Sequence, residues 1–257
     1  MKNYRQKLSV AALLLSFLLF AAFRIADSKK INIVFIGDSI TEGQHNPAIQ
    51  PSVYAVNYLR HKLNTDSIAQ ANCGVSGKTT LDYLPSEDLF KNVLTSADSF
   101  YADNKAQLIF SFMLGTNDSA MKGTHGAPVS AADYSKNMTI IVDSLLKRYP
   151  SCKVVLNSPI WYSPNTYNSS MYLAEGLARL QSYFPEIDNM VKNYASTHPG
   201  HVFKGDTKGF KYFKENFNDA LKHEQGVQGT FFLHPNDKGA ARLGELWAKA
   251  IYKALAI

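Results

Sequence analysis

The feature that most limits what this chain can fold into is an alternation. Short apolar runs of strand length recur at Ile31 to Ile36, Ser67 to Asn72, Leu108 to Met113, Lys153 to Asn157 and, more weakly, His201 to Lys204. Between them, apolar residues return at helical spacing: Val53, Val56, Tyr58, Leu59 and Leu63 in one segment, and Tyr134, Met138, Ile141, Val142, Leu145 and Leu146 in another. A long segment from Tyr172 to Ser196 and a C-terminal one from Asn236 to Leu255 complete the series. Pro150, Pro159, Pro164, Pro199 and Pro235 fall at segment ends, where a missing N–H is tolerated. Strands alternating with helices form right-handed βαβ units, so the chain is expected to be an α/β protein with a parallel sheet covered on both faces.

The 257 residues, 46% hydrophobic and 19% charged, are enough for one such domain. The N-terminus differs in kind. Lys2, Arg5 and Lys7 precede an apolar run from Leu8 to Phe23, and a polar stretch from Asp27 to Lys30 follows. That order reads as a secretory signal peptide over residues 1–28, with Ala26 and Ser28 as the small residues before the cut, leaving a single domain over 29–257. A retained segment would instead be a membrane anchor. The protein is therefore expected to be exported, to the periplasm or the outside of the cell.

Charge argues against a nucleic-acid partner. The formal +6 includes four bases and one acid in residues 1–28, and the remainder holds 23 bases against 20 acids. Export permits disulfides, but Cys73 follows one strand whereas Cys152 precedes another, at opposite edges of a parallel sheet; two unpaired small apolar residues are expected.

Ligands of such sheets bind beyond the carboxyl ends of the strands. The loops there read GDSITEG, CGVSGKTT, GTNDSAMKG and SPIWYSPNTY. Ser39 follows the first strand at the start of a helix, where backbone N–H groups favour developing negative charge; capping that helix is the plainer role for Asp38 or Ser39. Gly77 either makes a simple turn or lets its N–H approach a substrate. Gly77-Lys78-Thr79 resembles the end of a phosphate-binding loop, but Asn72 stands where that motif needs its first glycine. Asn117 can donate a side-chain amide hydrogen, and Asp118 is expected to tie its loop together. His234 precedes the last helix and is one of seven histidines; its chemistry suits a general base for a serine hydroxyl. No cluster with metal-ligand spacing is visible, no cofactor is suggested, and the G-x-S-x-G elbow of the α/β-hydrolases is absent.

Taken in order, the GDS, GVSG, GTND and HPND blocks resemble those of the SGNH hydrolases, also called the GDSL esterases, over residues 31–257. The resemblance implies a three-layer α/β/α, flavodoxin-like fold with about five parallel strands. It implies Ser39 as nucleophile and His234 as base, with the Ser39 N–H, the Gly77 N–H and the Asn117 amide as oxyanion donors. One position departs from the family. The aspartate expected three residues before the histidine is replaced by Phe231, which accepts no hydrogen bond. A backbone carbonyl between Thr230 and Phe232 is the favoured acceptor for His234, with Asp206 and Glu224 as the alternative carboxylates.

Trp161 and Tyr162 in the fourth loop are candidate carbohydrate contacts, with Asp38 beside them as a substrate-binding candidate; a lid packed on the core is the other reading of the two aromatics. Export, fold and this loop together suggest removal of O-acetyl groups from sialic acid or a polysaccharide. A lysophospholipase or general short-chain esterase is the nearest alternative. A carbohydrate-binding protein that lost activity with its acid is the other. Nothing in the sequence fixes an oligomeric state.

Overall fold

The computed structural model describes residues 30–103 and 105–256; the signal peptide expected over residues 1–28 lies outside them. Five strands, β1 (Lys30–Gly37), β2 (Ile68–Asn72), β3 (Ala106–Met113), β4 (Lys153–Leu156) and β5 (Val202–Lys204), form one parallel sheet. Their order is β2-β1-β3-β4-β5, so the chain starts near one edge, crosses over, and winds to the other.

Alternation of side chains along the strands divides the core in two. From β1 and β3, Val34, Ile36, Leu108, Phe110 and Phe112 face one helical layer. That layer is built from α3 (Asp88–Tyr101), α4 (Ala131–Arg148) and α5 (Leu173–Thr197). Ile31, Ile33, Phe35, Ile109 and Met113 face the other, where α2 (Pro51–Leu63) packs with the C-terminal helix α8 (Asp237–Leu255). Phe35 stacks on Trp247 there, with ring centres 5.8 Å apart. Each fully buried side chain of this size contributes roughly 1.5–3 kcal/mol, so the two apolar layers fix the sheet between them. The result is a three-layer α/β/α domain.

Local signals set the helix ends. Pro51 opens α2, and Asn64 closes it in the left-handed region at φ 50°. Ser130 caps α4 by accepting from the Asp133 N–H, and Asn236 caps α8 by accepting from the Gly239 N–H. Asp237 is the first residue inside that helix, in its first turn. Cys73 and Cys152 are both unpaired.

The sequence reading did not resolve α3, nor the region between β5 and α8. The latter holds α6 (Gly209–Glu215), α7 (Phe217–Ala220) and an antiparallel hairpin, β6 (Glu224–Gly226) and β7 (Gly229–Phe231). Strands of three residues are too short to display a period. The hairpin is fastened by the loop after β4. Asn165 Nδ2 donates to the Gln228 and Thr230 carbonyls, Ser163 N–H donates to the Phe232 carbonyl, and Phe232 N–H donates to Ser163 Oγ.

Candidate active site

At the carboxyl end of β1 the chain turns sharply into a four-residue helix, α1 (Ser39–Glu42). Gly37 is needed for this turn, because a Cβ there would lie 2.0 Å from Thr41 Oγ1 and 2.7 Å from the Met113 carbonyl. Asp38 caps the helix by accepting from the Ile40 N–H at 3.0 Å. Ser39 is thereby the first residue of α1, so its N–H has no partner within the helix.

The hydroxyl of Ser39 lies 2.9 Å from Nε2 of His234, across 195 residues of sequence. On its other side the imidazole meets a carboxylate. Nδ1 of His234 is 2.9 Å from Oε1 and 3.0 Å from Oε2 of Glu224, and the His234 backbone N–H donates to Oε2 at 3.1 Å. An ionised carboxylate only accepts, so Nδ1 must carry a proton and Nε2 presents its lone pair to the Ser39 hydroxyl. Burial opposes the charge on Glu224, but the hydrogen bonds from His234 and its nearby charge outweigh that effect and hold the acid below its ordinary range.

Glu224 thus occupies the place for which a backbone carbonyl was expected. The carbonyls of that segment are committed elsewhere: Thr230 O accepts from Asn165 and Phe232 O from Ser163. Phe231 itself is buried in the core. Asp206, the other carboxylate considered, accepts from the Lys208 and Gly209 N–H groups and binds its own loop instead.

The donors converge on the same cleft. Gly77 has φ 77°, in the left-handed region, and a Cβ built on it would meet nothing within 4 Å, so its backbone borders open space. Asn117 is buried, with Oδ1 accepting from the Tyr172 hydroxyl at 2.6 Å and Nδ2 donating to the Lys78 carbonyl at 3.0 Å. Those two bonds fix the amide plane and leave one N–H of Nδ2 for a ligand. Asp118 accepts from both the N–H and the hydroxyl of Thr80, joining the GTND loop to the segment after β2.

Ser39, Gly77, Asn117 and His234 line one open cleft of about 390 Å³. Its remaining walls are Gln44, His45, Ser76, Asn168, Ser169, Ser170, Tyr172 and Leu233. The three proposed substrate contacts are not among them. Trp161 is buried against Phe217, with ring centres 5.6 Å apart. Tyr162 is fully buried, 2.9 Å from Ser119 Oγ and edge-on to Tyr172. Asp38 is fully buried, and burial raises its carboxyl to about 6 against the pull of the Ile40 N–H and the Thr116 hydroxyl. Their apolar surfaces and short polar reach are used inside the protein: Tyr162 supports Tyr172, which holds Asn117.

Sequence reasoning missed Tyr172, Gln44 and the Asn168-to-Ser170 wall. Each becomes meaningful only through a partner distant in sequence. Gln44 and His45 follow Gly43 as consecutive left-handed residues, at φ 50° and 60° after 78°. In addition, Gln44 accepts from Lys222 Nζ and donates toward Glu224.

The family model for the GDSL-like lipase/acylhydrolase family matches residues 35–242. No curated protein matches the chain by sequence. Among solved structures, an aryl esterase from M. smegmatis is similar at 17% identity and TM-score 0.57, over 87% of this chain and 99% of that one. A carbohydrate acetylesterase from Sinorhizobium meliloti is similar at 17% identity and TM-score 0.56, with the same coverage. A catalytic mutant of an acetylxylan esterase from Geobacillus stearothermophilus is similar at 17% identity and TM-score 0.56, over 88% and 94%. These likenesses show the shared fold. With the family match spanning most of the domain, the chain belongs to the GDSL-like lipase/acylhydrolase family, the SGNH hydrolases, and is a GDSL-family esterase.

Proposed function

We propose that this protein is an exported serine esterase that removes O-acetyl groups from a carbohydrate through an acyl-enzyme on Ser39. The observation that carries the reading is the hydrogen-bonded series Ser39–His234–Glu224, opening onto a cleft whose walls are mostly polar.

In the first half-reaction, Ser39 Oγ attacks the ester carbonyl carbon while its proton passes to His234 Nε2. Glu224 holds the imidazole in the required tautomer and stabilises the imidazolium. The carbonyl oxygen becomes an oxyanion between the Ser39 N–H, the Gly77 N–H and the free N–H of Asn117. Collapse of the tetrahedral intermediate expels the sugar hydroxyl, which takes the proton from His234. Water then enters by the same route in reverse and releases acetate.

The wall of the cleft favours a small acyl group on a polar alcohol. Gln44, Ser76, Asn168, Ser169 and Ser170 offer hydrogen bonds, whereas Leu233 is the one aliphatic side chain among the lining residues. A long acyl chain would lie against groups that it must desolvate without compensation. Two proteins of the same fold are named as a carbohydrate acetylesterase and an acetylxylan esterase, in keeping with this class. The leader over residues 1–28 supports export. The reading as an inactive binding protein loses its motive, because an acid stands at His234 after all.

Acetate release from acetylated xylan, acetylated pectin and acetylated sialic acid tests the proposal, with Ser39→Ala alongside. Release that disappears in the variant is expected. Hydrolysis of nitrophenyl butyrate in preference to the acetate, without release from any glycan, would replace the proposal with a general short-chain esterase.

A further inference from the structure

A second concavity, sharing no residue with the catalytic cleft, lies where α2, the end of β5 and α8 meet. It has a volume of about 410 Å³, and six cations line it: Lys62, Lys204, Lys208, Arg242, Lys249 and Lys253. Three acids offset them. Asp206 also lines the groove, Asp188 pairs with Lys204 at 2.6 Å, and Glu245 pairs with Arg242 and Lys249.

The local excess is therefore three positive charges, and it is not a sample of a generally basic surface. Residues 30–256 contain 22 basic and 20 acidic side chains; apart from the six groove cations and the three acids that line the groove or pair with them, the rest stands at sixteen against seventeen. The positive field of the described domain is concentrated here.

Two of the cations are also held in place. Lys62 Nζ sits 5.7 Å from the ring centre of Tyr252, and Lys249 Nζ 5.9 Å from that of Tyr58, so each tyrosine of the groove positions an ammonium across the α2–α8 junction. Arg242 keeps a buried Nε–H with no acceptor among the described residues. Lys62, Lys208 and Lys253 have no ion-pair partner among the described residues. Lys62 and the Arg242 Nε–H are thus already ordered and lack an acceptor, and such donors gain most from an incoming anion.

We infer that this groove binds a polysaccharide bearing carboxylate or sulfate groups and anchors it apart from the catalytic cleft. The choice of a polysaccharide rests on the carbohydrate reading of the active site; the anionic chemistry rests on the groove alone. A concavity lined by three separate chain segments, with cations on each, suits a polymer with charges at intervals. A lipid surface fits less well, since Tyr252 is the one exposed large hydrophobic side chain in the groove and nothing else there could enter a bilayer. An excess of three charges is also low for a nucleic-acid site, since a protein making about six to ten phosphate contacts neutralises at least twice as many charges.

The test is affinity electrophoresis of the full domain through gels containing polygalacturonate, dextran sulfate or neutral dextran, beside a Lys62→Glu/Lys208→Glu/Lys253→Glu variant. These three side chains are exposed, and hydrolysis of nitrophenyl acetate by the variant reports its folding and its active site independently. We expect retardation by one or both anionic polymers and not by dextran, weakened roughly tenfold or more in the variant and by raising salt. The two polymers distinguish carboxylate from sulfate. Absence of retardation for the parent, or equal retardation of parent and variant, would overturn the inference. So would equal binding of the parent to phosphatidylglycerol vesicles or to DNA. Nitrophenyl acetate turnover should be the same in parent and variant, so loss of retardation alone marks failure at the groove and loss of turnover marks failure at the esterase site. As a second variant, Arg242→Gln tests the unfilled donor, with the same weakening expected.

Discussion

Glu224 stands directly opposite Phe231 across the β6–β7 hairpin, and its carboxylate reaches the ring of His234 at 2.9 Å. In an antiparallel pair, residues directly opposite project on the same face. The hairpin therefore offers two places from which an acid could approach the histidine. This chain fills the strand next to His234 with a core phenylalanine and supplies the carboxylate from the partner strand.

Glu224→Gln removes the charge while preserving size. By analogy with acid-to-amide changes in serine hydrolases, we expect kcat to fall on the order of 10³- to 10⁴-fold, with little change in KM. Asp206→Ala should stay within about tenfold, since that carboxylate binds its own loop. Steady-state hydrolysis of nitrophenyl acetate checks both, and a Glu224→Gln enzyme as fast as the parent would return the acceptor's role to a backbone group.

Asn117→Ala should lower kcat by about 100- to 1000-fold through loss of an oxyanion donor. Tyr172→Phe leaves the amide in place but frees its Oδ1, so a smaller loss, roughly three- to thirtyfold, is expected. Circular dichroism and kcat measured together distinguish this from unfolding.

Trp161→Ala should act on stability and not on recognition. Loss of a buried ring of this size costs about 3–5 kcal/mol, which urea denaturation would register. KM for an acetylated glycan, measured on the folded fraction, should be unchanged within about twofold.

Asp38 gives the stability a pH dependence. Its carboxyl ordinarily titrates near about 4, and burial raises it to about 6 in the folded protein. Between those values the native state holds a proton that the unfolded chain releases, so stability falls as pH rises through this window and the full penalty persists above it. At about 1.4 kcal/mol per pH unit the penalty is on the order of 3 kcal/mol. Asp38→Asn retains the cap without the charge, so it should stabilise the protein at pH 7 by about 1–3 kcal/mol and change little below pH 4. Denaturation at the two pH values checks this; an equal effect at both would contradict it.

The parts of the site legible in the sequence are those whose meaning is local. Gly37, Asp38 and Ser39 form a strand-to-helix turn that nine residues display, and His234 announces itself just before a capped helix. Glu224 does not. It lies ten residues from His234 in a hairpin of three-residue strands, too short for alternation, and its role depends on how that hairpin is pinned by Ser163 and Asn165. Trp161 and Tyr162 failed in the opposite direction. Their residue types suit sugar binding as well as core packing, and burial alone separates the two. The sheet was readable because buried parallel strands write long apolar runs, whereas α3, with Phe90, Val93 and Ala97 as its buried face, shows a sparser stripe.

The most direct test of the central claim is covalent labelling with a fluorophosphonate, followed by peptide mass mapping. The reagent needs an activated serine but no particular substrate. We expect a single adduct on Ser39, forming at least about 100-fold more slowly in Glu224→Gln and in His234→Ala. Failure to label, an adduct on another serine, or a rate unaffected by both substitutions would contradict the Ser39–His234–Glu224 site.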